Sequence, residues 1–241
     1  MSNQFASQPP SPPIFHEHAD VAAWQAAAVA DTVAALGKDL SDTGHARLLV
    51  SGGSTPAPVY RQLAMQSLDW ARVEVALVDE RWLPIGDPDS NARLIQETLL
   101  TGLAAVANFN PIRMPGQDFS SAVHAANESS TPATVALLGM GPDGHTASLF
   151  PNMHGLDQAL DCLAYYVGVD ASGCSGAGPW AQRISLTPAG LARAATRLLL
   201  IRGEQKRDVI RRALAGSDPH ELPIRAVFSL PGAPLRIHWC P

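Results

Sequence analysis

The segment Leu137-Leu138-Gly139-Met140-Gly141-Pro142-Asp143-Gly144-His145-Thr146-Ala147-Ser148 sets a carboxylate and an imidazole two residues apart in a glycine-rich turn. An imidazole titrates near neutrality and can take a proton from water, while a neighbouring carboxylate holds the useful tautomer and stabilises the imidazolium. A lone histidine is usually structural. Here the glycines flanking Asp143 leave little bulk to bury His145, and loop-borne polar groups of this kind more often serve function. A second segment, Ser51-Gly52-Gly53-Ser54-Thr55-Pro56, has two glycines that let a ligand approach the backbone, with hydroxyls and helix-start amides suited to an anion such as phosphate. The same residues read equally well as a tight turn with a helix cap. They form neither a Walker loop nor G-x-G-x-x-G, which argues against a nucleotide.

Three charged groups, Asp79-Glu80-Arg81, precede Trp82 directly after an apolar stretch. Taken alone they describe a solvated strand end with a local ion pair. Arg183, in Arg183-Ile184-Ser185-Leu186-Thr187, and Lys206, just after Gly203, would by default be surface cations. No G-x-S-x-G elbow marks a covalent serine. His16 and His18 lie two apart near the start and His238 stands close to Cys240 at the other end, but neither pair offers the three or four ligands of a metal site, and no metal is expected.

The elements that must position these residues are legible as alternating patterns. An Ala-rich amphipathic stretch, Val21 to Leu40, reads as a helix, with Trp24, Ala28, Val29, Val33 and Leu36 largely on one side. Arg47 to Val50 reads as a strand, then the glycine turn, then a helix carrying Val59, Tyr60 and Leu63. The alternation returns with a strand at Val73 to Val78, a helix at Ser90 to Leu100 and a strand at Thr134 to Leu138. Further strands are expected at Tyr165 to Val169, Ile184 to Leu186 and Leu198 to Ile201, and a helix at Glu204 to Leu214. Strands alternating with helices, several of them apolar on both faces, predict a mostly parallel α/β sheet with helices on both sides. In such sheets ligands sit at the carboxyl ends of the strands, where all of these segments fall.

Composition narrows the classes. The chain has 241 residues, 46% of them hydrophobic and 16% charged, enough for a sizeable core. Ser, Gln and Pro dominate residues 1–13, which predicts a disordered lead-in, with one folded domain over 14–241. Three cysteines, Cys162, Cys174 and Cys240, make no C-x-x-C pair, and with no export signal they suggest a reducing, cytoplasmic compartment. A net charge of -5 without a basic run argues against a nucleic-acid surface, and no stretch approaches a membrane span. A small anionic ligand would have to meet a local cluster of cations.

In order and in register, SGGSTP, VDERW followed by DPDSN, and LLGMGPDGHTASLFP resemble the 6-phosphogluconolactonase family, whose relatives include glucosamine-6-phosphate isomerase/deaminase. The resemblance runs from about Phe15 to the carboxyl terminus. It implies a Rossmann-like fold, hydrolysis of 6-phosphoglucono-1,5-lactone to 6-phosphogluconate in the oxidative pentose phosphate pathway, and no cofactor. It also implies His145 as general base, Asp143 as its neighbour, and Arg81 as a cation near the reacting ester or the phosphate. Gly52, Gly53, Ser54 and Thr55 with Arg183 and Lys206 would form the phosphate cradle. Two departures stand out: Asp118 to Pro132 looks too short for more than a remnant helix, and DASGCSGAGP over 170–179 replaces a more proline-rich approach to Arg183. The isomerase/deaminase branch looks to prefer tyrosine after Asp-Glu and Ile-Ala-Phe-Asn-Glu after Gly-His. This chain has Arg81-Trp82 and Thr146-Ala147-Ser148-Leu149-Phe150 there, without the extra acid. A sugar-phosphate sensor without turnover would need a DNA-binding module, for which the lead-in leaves no space.

Overall fold

The computed structural model describes residues 10–241. Of the expected lead-in, residues 1–9 lie outside the described residues, and 10–13 carry no regular secondary structure. The chain then forms β1 (Ile14–Glu17), α1 (Val21–Thr43), β2 (Ala46–Val50), α2 (Ala57–Leu63), β3 (Val73–Leu77), β4 (Asp79–Arg81) and α3 (Asn91–Thr98). It continues through β5 (Asn108–Asn110), α4 (Phe119–Glu128), β6 (Ala133–Leu138), α5 (Leu156–Asp161), β7 (Tyr166–Asp170) and β8 (Gln182–Leu186). The last elements are α6 (Pro188–Leu191), β9 (Ala194–Arg202), α7 (Glu204–Leu214), α8 (Ile224–Phe228) and β10 (Leu235–Cys240).

Seven strands make one sheet in the order β1-β10-β9-β6-β2-β3-β5, every pair parallel. Each residue of β2 and β6 is buried, so side chains on both faces of the central strands are covered, as their mostly apolar sequences predict. Helix α1 starts where Asp20 accepts the backbone N–H of Ala23 at 2.8 Å and ends at Gly44, whose φ of 80° suits a left-handed cap. Its buried stripe of Trp24, Ala28, Thr32 and Leu36 packs across β2, β6, β9 and β10. The fold is a single, mostly parallel α/β domain.

Not all strands join that sheet. β4, β8 and β7 form a separate antiparallel sheet in that order, so the segments around Tyr165 to Val169 and Ile184 to Leu186 are strands as expected but run in a second layer. Apolar content cannot distinguish a parallel partner from an antiparallel one. What docks this layer is tertiary: the Tyr166 hydroxyl donates to the Leu77 carbonyl at 2.6 Å, and Leu186 N donates to Val78 O at 2.8 Å. The Asp79–Arg81 charges belong to β4 rather than to a solvated strand end, with Asp79 and Glu80 buried. The expected remnant helix is also corrected. α4 is ten residues long, capped by Asp118 accepting from Ser121 N at 2.9 Å, and it buries only Ala122 and Ala126. Its signal is weak because small alanines suffice where the partner strand offers Gly168, at which a Cβ would meet the Phe119 ring at 2.5 Å.

Candidate active site

In the large sheet, β2 leads on to β3 on one side and β6 leads on to β9 on the other, so the carboxyl ends of β2 and β6 flank the point where strand order reverses. That is where open α/β sheets bind ligands. A cleft of about 230 Å³ opens there, lined by the Ser51–Pro56 loop, Asp79 and Arg81, Asn91, the Gly139–Gly141 turn with His145, Arg183 and Lys206. Eight residues expected at the site therefore meet on one cleft: Gly52, Gly53, Ser54, Thr55, Arg81, His145, Arg183 and Lys206. Asp143 does not line it and stands behind the imidazole.

The loop carrying His145 leaves β6 and turns on itself. Gly141 N donates to His145 O at 2.9 Å, Thr146 Oγ1 donates to Gly139 O at 2.9 Å, and Gly144 takes a φ of 83° that only glycine adopts without strain. This brings His145 Nδ1 to 2.6 Å from Asp143 Oδ1. The carboxylate accepts the Nδ1 proton, which leaves the Nε2 lone pair free to take another. Half-burial alone would raise the Asp143 carboxyl, but the hydrogen bond and charge of His145 outweigh it and hold that carboxyl below its usual range.

Glu80 organises the entrance to α3. Its carboxylate accepts from Arg81 N, Asn91 N and Ala92 N, each at 2.8 Å, and from Ser90 Oγ at 2.9 Å. Burial pushes its pKa up, and these donors counter the shift without cancelling it. Asn91, seated by that cap, donates from Nδ2 to Asp79 O at 2.8 Å and reaches the cleft. A Cβ on Gly52 would fall 1.8 Å from Asn91 Oδ1, so the first glycine of the loop is there to admit Asn91 as well as a ligand. Asp79 is fixed by Ser148, whose hydroxyl donates to Oδ2 at 2.5 Å. Sequence reasoning passed over Asn91 and Asp79 as site residues; their only local signal was membership of the DPDSN and VDERW motifs.

Three cations face the cleft, against one carboxylate, Asp79. Arg81 donates through Nη1 to Asp89 O, while its buried Nε has no hydrogen-bond partner. Arg183 gives Nε to Trp180 O at 2.8 Å and Nη2 to Ala177 O at 2.5 Å, leaving Nη1 as the remaining nitrogen on that guanidinium. Lys206, in the first turn of α7, forms no ion pair with a described carboxylate, and burial pushes its pKa below the usual lysine value. Buried cations short of acidic partners favour an incoming anion. Among the described residues no group of three His, Cys, Asp or Glu is arranged to hold a metal ion. No helix among them is long and apolar enough to cross a membrane.

Comparison with known proteins points the same way. The family model described as glucosamine-6-phosphate isomerases/6-phosphogluconolactonase matches residues 19–239. A 6-phosphogluconolactonase of Xylella fastidiosa is 50% identical over 206 residues, covering 84% of this chain and 86% of that protein. One from Pseudomonas aeruginosa is 42% identical over 231 residues, covering 91% and 92%. The crystal structure of a 6-phosphogluconolactonase from Shewanella baltica superposes with a TM-score of 0.88 at 31% identity, over 97% of this chain and all of that one. The chain belongs to the glucosamine-6-phosphate isomerase/6-phosphogluconolactonase family.

Proposed function

We propose that the chain hydrolyses 6-phospho-D-glucono-1,5-lactone to 6-phospho-D-gluconate, the ring-opening step of the oxidative pentose phosphate pathway, with His145 as general base. The observation that carries this reading is one cleft holding a carboxylate-backed imidazole beside three cations. The 6-phosphogluconolactonase relatives support the substrate class. The Ser51–Thr55 loop, Lys206 and Arg183 Nη1 receive the phosphate, which sets the lactone carbonyl near His145. Nε2 takes a proton from water as the water oxygen bonds to the carbonyl carbon, and the carbonyl electrons move onto oxygen. Arg81, whose guanidinium lines the cleft, stabilises that oxyanion. Reforming the carbonyl breaks the ring C–O bond, and the leaving alkoxide takes the proton back from Nε2, which restores the base and yields the acid. Asp143 holds the ring and stabilises the imidazolium between the two transfers.

The test follows disappearance of freshly generated lactone, corrected for spontaneous hydrolysis, with glucosamine 6-phosphate in a parallel arm. The expected result is turnover of the lactone and none of the amino sugar. Turnover of glucosamine 6-phosphate alone would overturn the reading.

A further inference from the structure

Residues 171–180 run as a strap beside the Asp143–His145 pair. The strap is braced within itself: Ala171 N donates to Ala181 O at 2.9 Å, Cys174 N to Ala171 O at 3.1 Å, and Ala177 N to Cys174 O at 3.0 Å. Arg183 pins its far end through the carbonyls of Ala177 and Trp180, and the Trp180 indole donates to Asp89 Oδ2 at 2.8 Å. The same guanidinium lies 5.1 Å over the Phe150 ring, whose other neighbour is the His145 imidazole at 4.4 Å. An anchored piece of backbone is thus coupled to the His145 loop without lining the cleft.

Gly176 is where that backbone comes closest. A Cβ at this position would stand 2.4 Å from Asp143 Oδ2, so that the carboxylate would have to shift, and 3.1 Å from His145 Nδ1, itself a tight contact. Gly176 is not among the glycines with positive φ, so the glycine answers a need for space and not for an unusual conformation. Gly141 does the same at the other oxygen, with a Cβ falling 2.2 Å from His145 Nδ1 and 2.6 Å from Asp143 Oδ1. Two bare stretches of backbone therefore close on one carboxylate–imidazole pair.

We infer that Gly176 is a positioning residue: the strap, held down by Arg183, closes on Oδ2 of Asp143 and leaves the carboxylate no arrangement but the one with Oδ1 on His145 Nδ1. The inference rests on the reading of His145 as base. It adds to the reaction a segment, 171–180, whose side chains do none of the chemistry. It also gives Arg183 a task besides meeting phosphate, since two of its nitrogens are committed to the strap.

The experiment compares Gly176→Ala with Ser175→Ala, an exposed neighbour on the same strap, and with His145→Gln. The readouts are corrected kcat, KM for the phosphorylated lactone, and the downfield Nδ1–H resonance that a short hydrogen bond to carboxylate produces. Gly176→Ala is expected to lose on the order of 10²-fold in kcat, the penalty of a displacement near 1 Å, with little change in KM and loss of the resonance. Ser175→Ala should keep all three. A folded Gly176→Ala enzyme that retains the resonance overturns the inference, whatever its rate; so does an equal loss in Ser175→Ala. If His145→Gln keeps wild-type turnover, the base reading fails instead, and the resonance in Gly176→Ala still decides whether the strap positions the pair. Should Gly176→Ala fail to fold, Arg183→Lys releases the strap from its anchor, because an ammonium cannot span the two carbonyls. A resonance of undiminished intensity in that variant overturns the inference as well.

Discussion

Nδ1 of His145 stands 2.6 Å from Oδ1 of Asp143, and the same oxygen accepts the backbone N–H of His145 at 3.2 Å. One carboxylate oxygen therefore fixes both the ring and the chain that carries it. His145→Gln should keep the fold and the cradle while kcat falls by about 10²–10⁴, the usual contribution of a positioned general base. Asp143, held below the usual carboxylate range, stays ionised to lower pH and keeps its place as acceptor for Nδ1. A folded Gln variant with near-wild-type turnover, corrected for spontaneous opening, would assign the base elsewhere.

Lys206 faces the cleft without a described acidic partner, which suits it to an anionic ligand group. Lys206→Ala is expected to raise KM for the phosphorylated lactone roughly 10- to 100-fold, the value of a charge-assisted contact, while unphosphorylated gluconolactone is affected far less. Steady-state kinetics on the two substrates checks this. Equal losses would make Lys206 structural.

A base that is an imidazole rather than a metal-bound hydroxide makes activity independent of divalent ions. Exhaustive dialysis against EDTA should leave kcat unchanged. Activity lost with the chelator and regained with zinc or magnesium would require a different mechanism.

At the edge of the large sheet His16 and His18 from one end of the sequence and His238 from the other become one cluster. His238 on β10 meets His18 Nε2 at 3.1 Å through Nδ1 and Asp31 Oδ2 at 3.0 Å through Nε2, His16 stacks on it with ring centroids 5.0 Å apart, and Arg236 pairs with Asp31 at 2.7 Å. Burial foremost, then the neighbouring imidazoles and Arg236, push the pKa of His238 down to about 4 against the pull of Asp31; burial and His16 also lower that of His18. A depressed histidine pKa means that the unfolded chain binds the proton first. His238 should therefore cost stability as pH falls from its ordinary value near 6.5 towards 4, and have no effect above that window. Urea midpoints across this range should fall more steeply for wild type than for His238→Gln; parallel slopes would refute the assignment.

The sequence by itself determined the parts whose information is local. The apolar runs Leu48 to Val50 and Val135 to Leu138 identify buried central strands, and the Ala-rich stripe after Val21 identifies α1, because side-chain periodicity is set within a few residues. Asp143 and His145 were legible as a pair because one glycine separates them and a tight turn lets them meet without help from elsewhere. Tertiary structure alone decided which distant residues share a space. Asp79 and Ser148 are 69 positions apart, His18 and His238 are 220 apart, and Gly176 reaches Asp143 from a stretch, Ser172 to Gly178, made of small residues alone. Antiparallel pairing of β4, β8 and β7 was likewise beyond periodicity, because the alternation along a strand records which side is buried and not which neighbour accepts its hydrogen bonds. Those partners are chosen when the two layers pack, by contacts such as Tyr166 to Leu77 that no window of neighbouring residues contains.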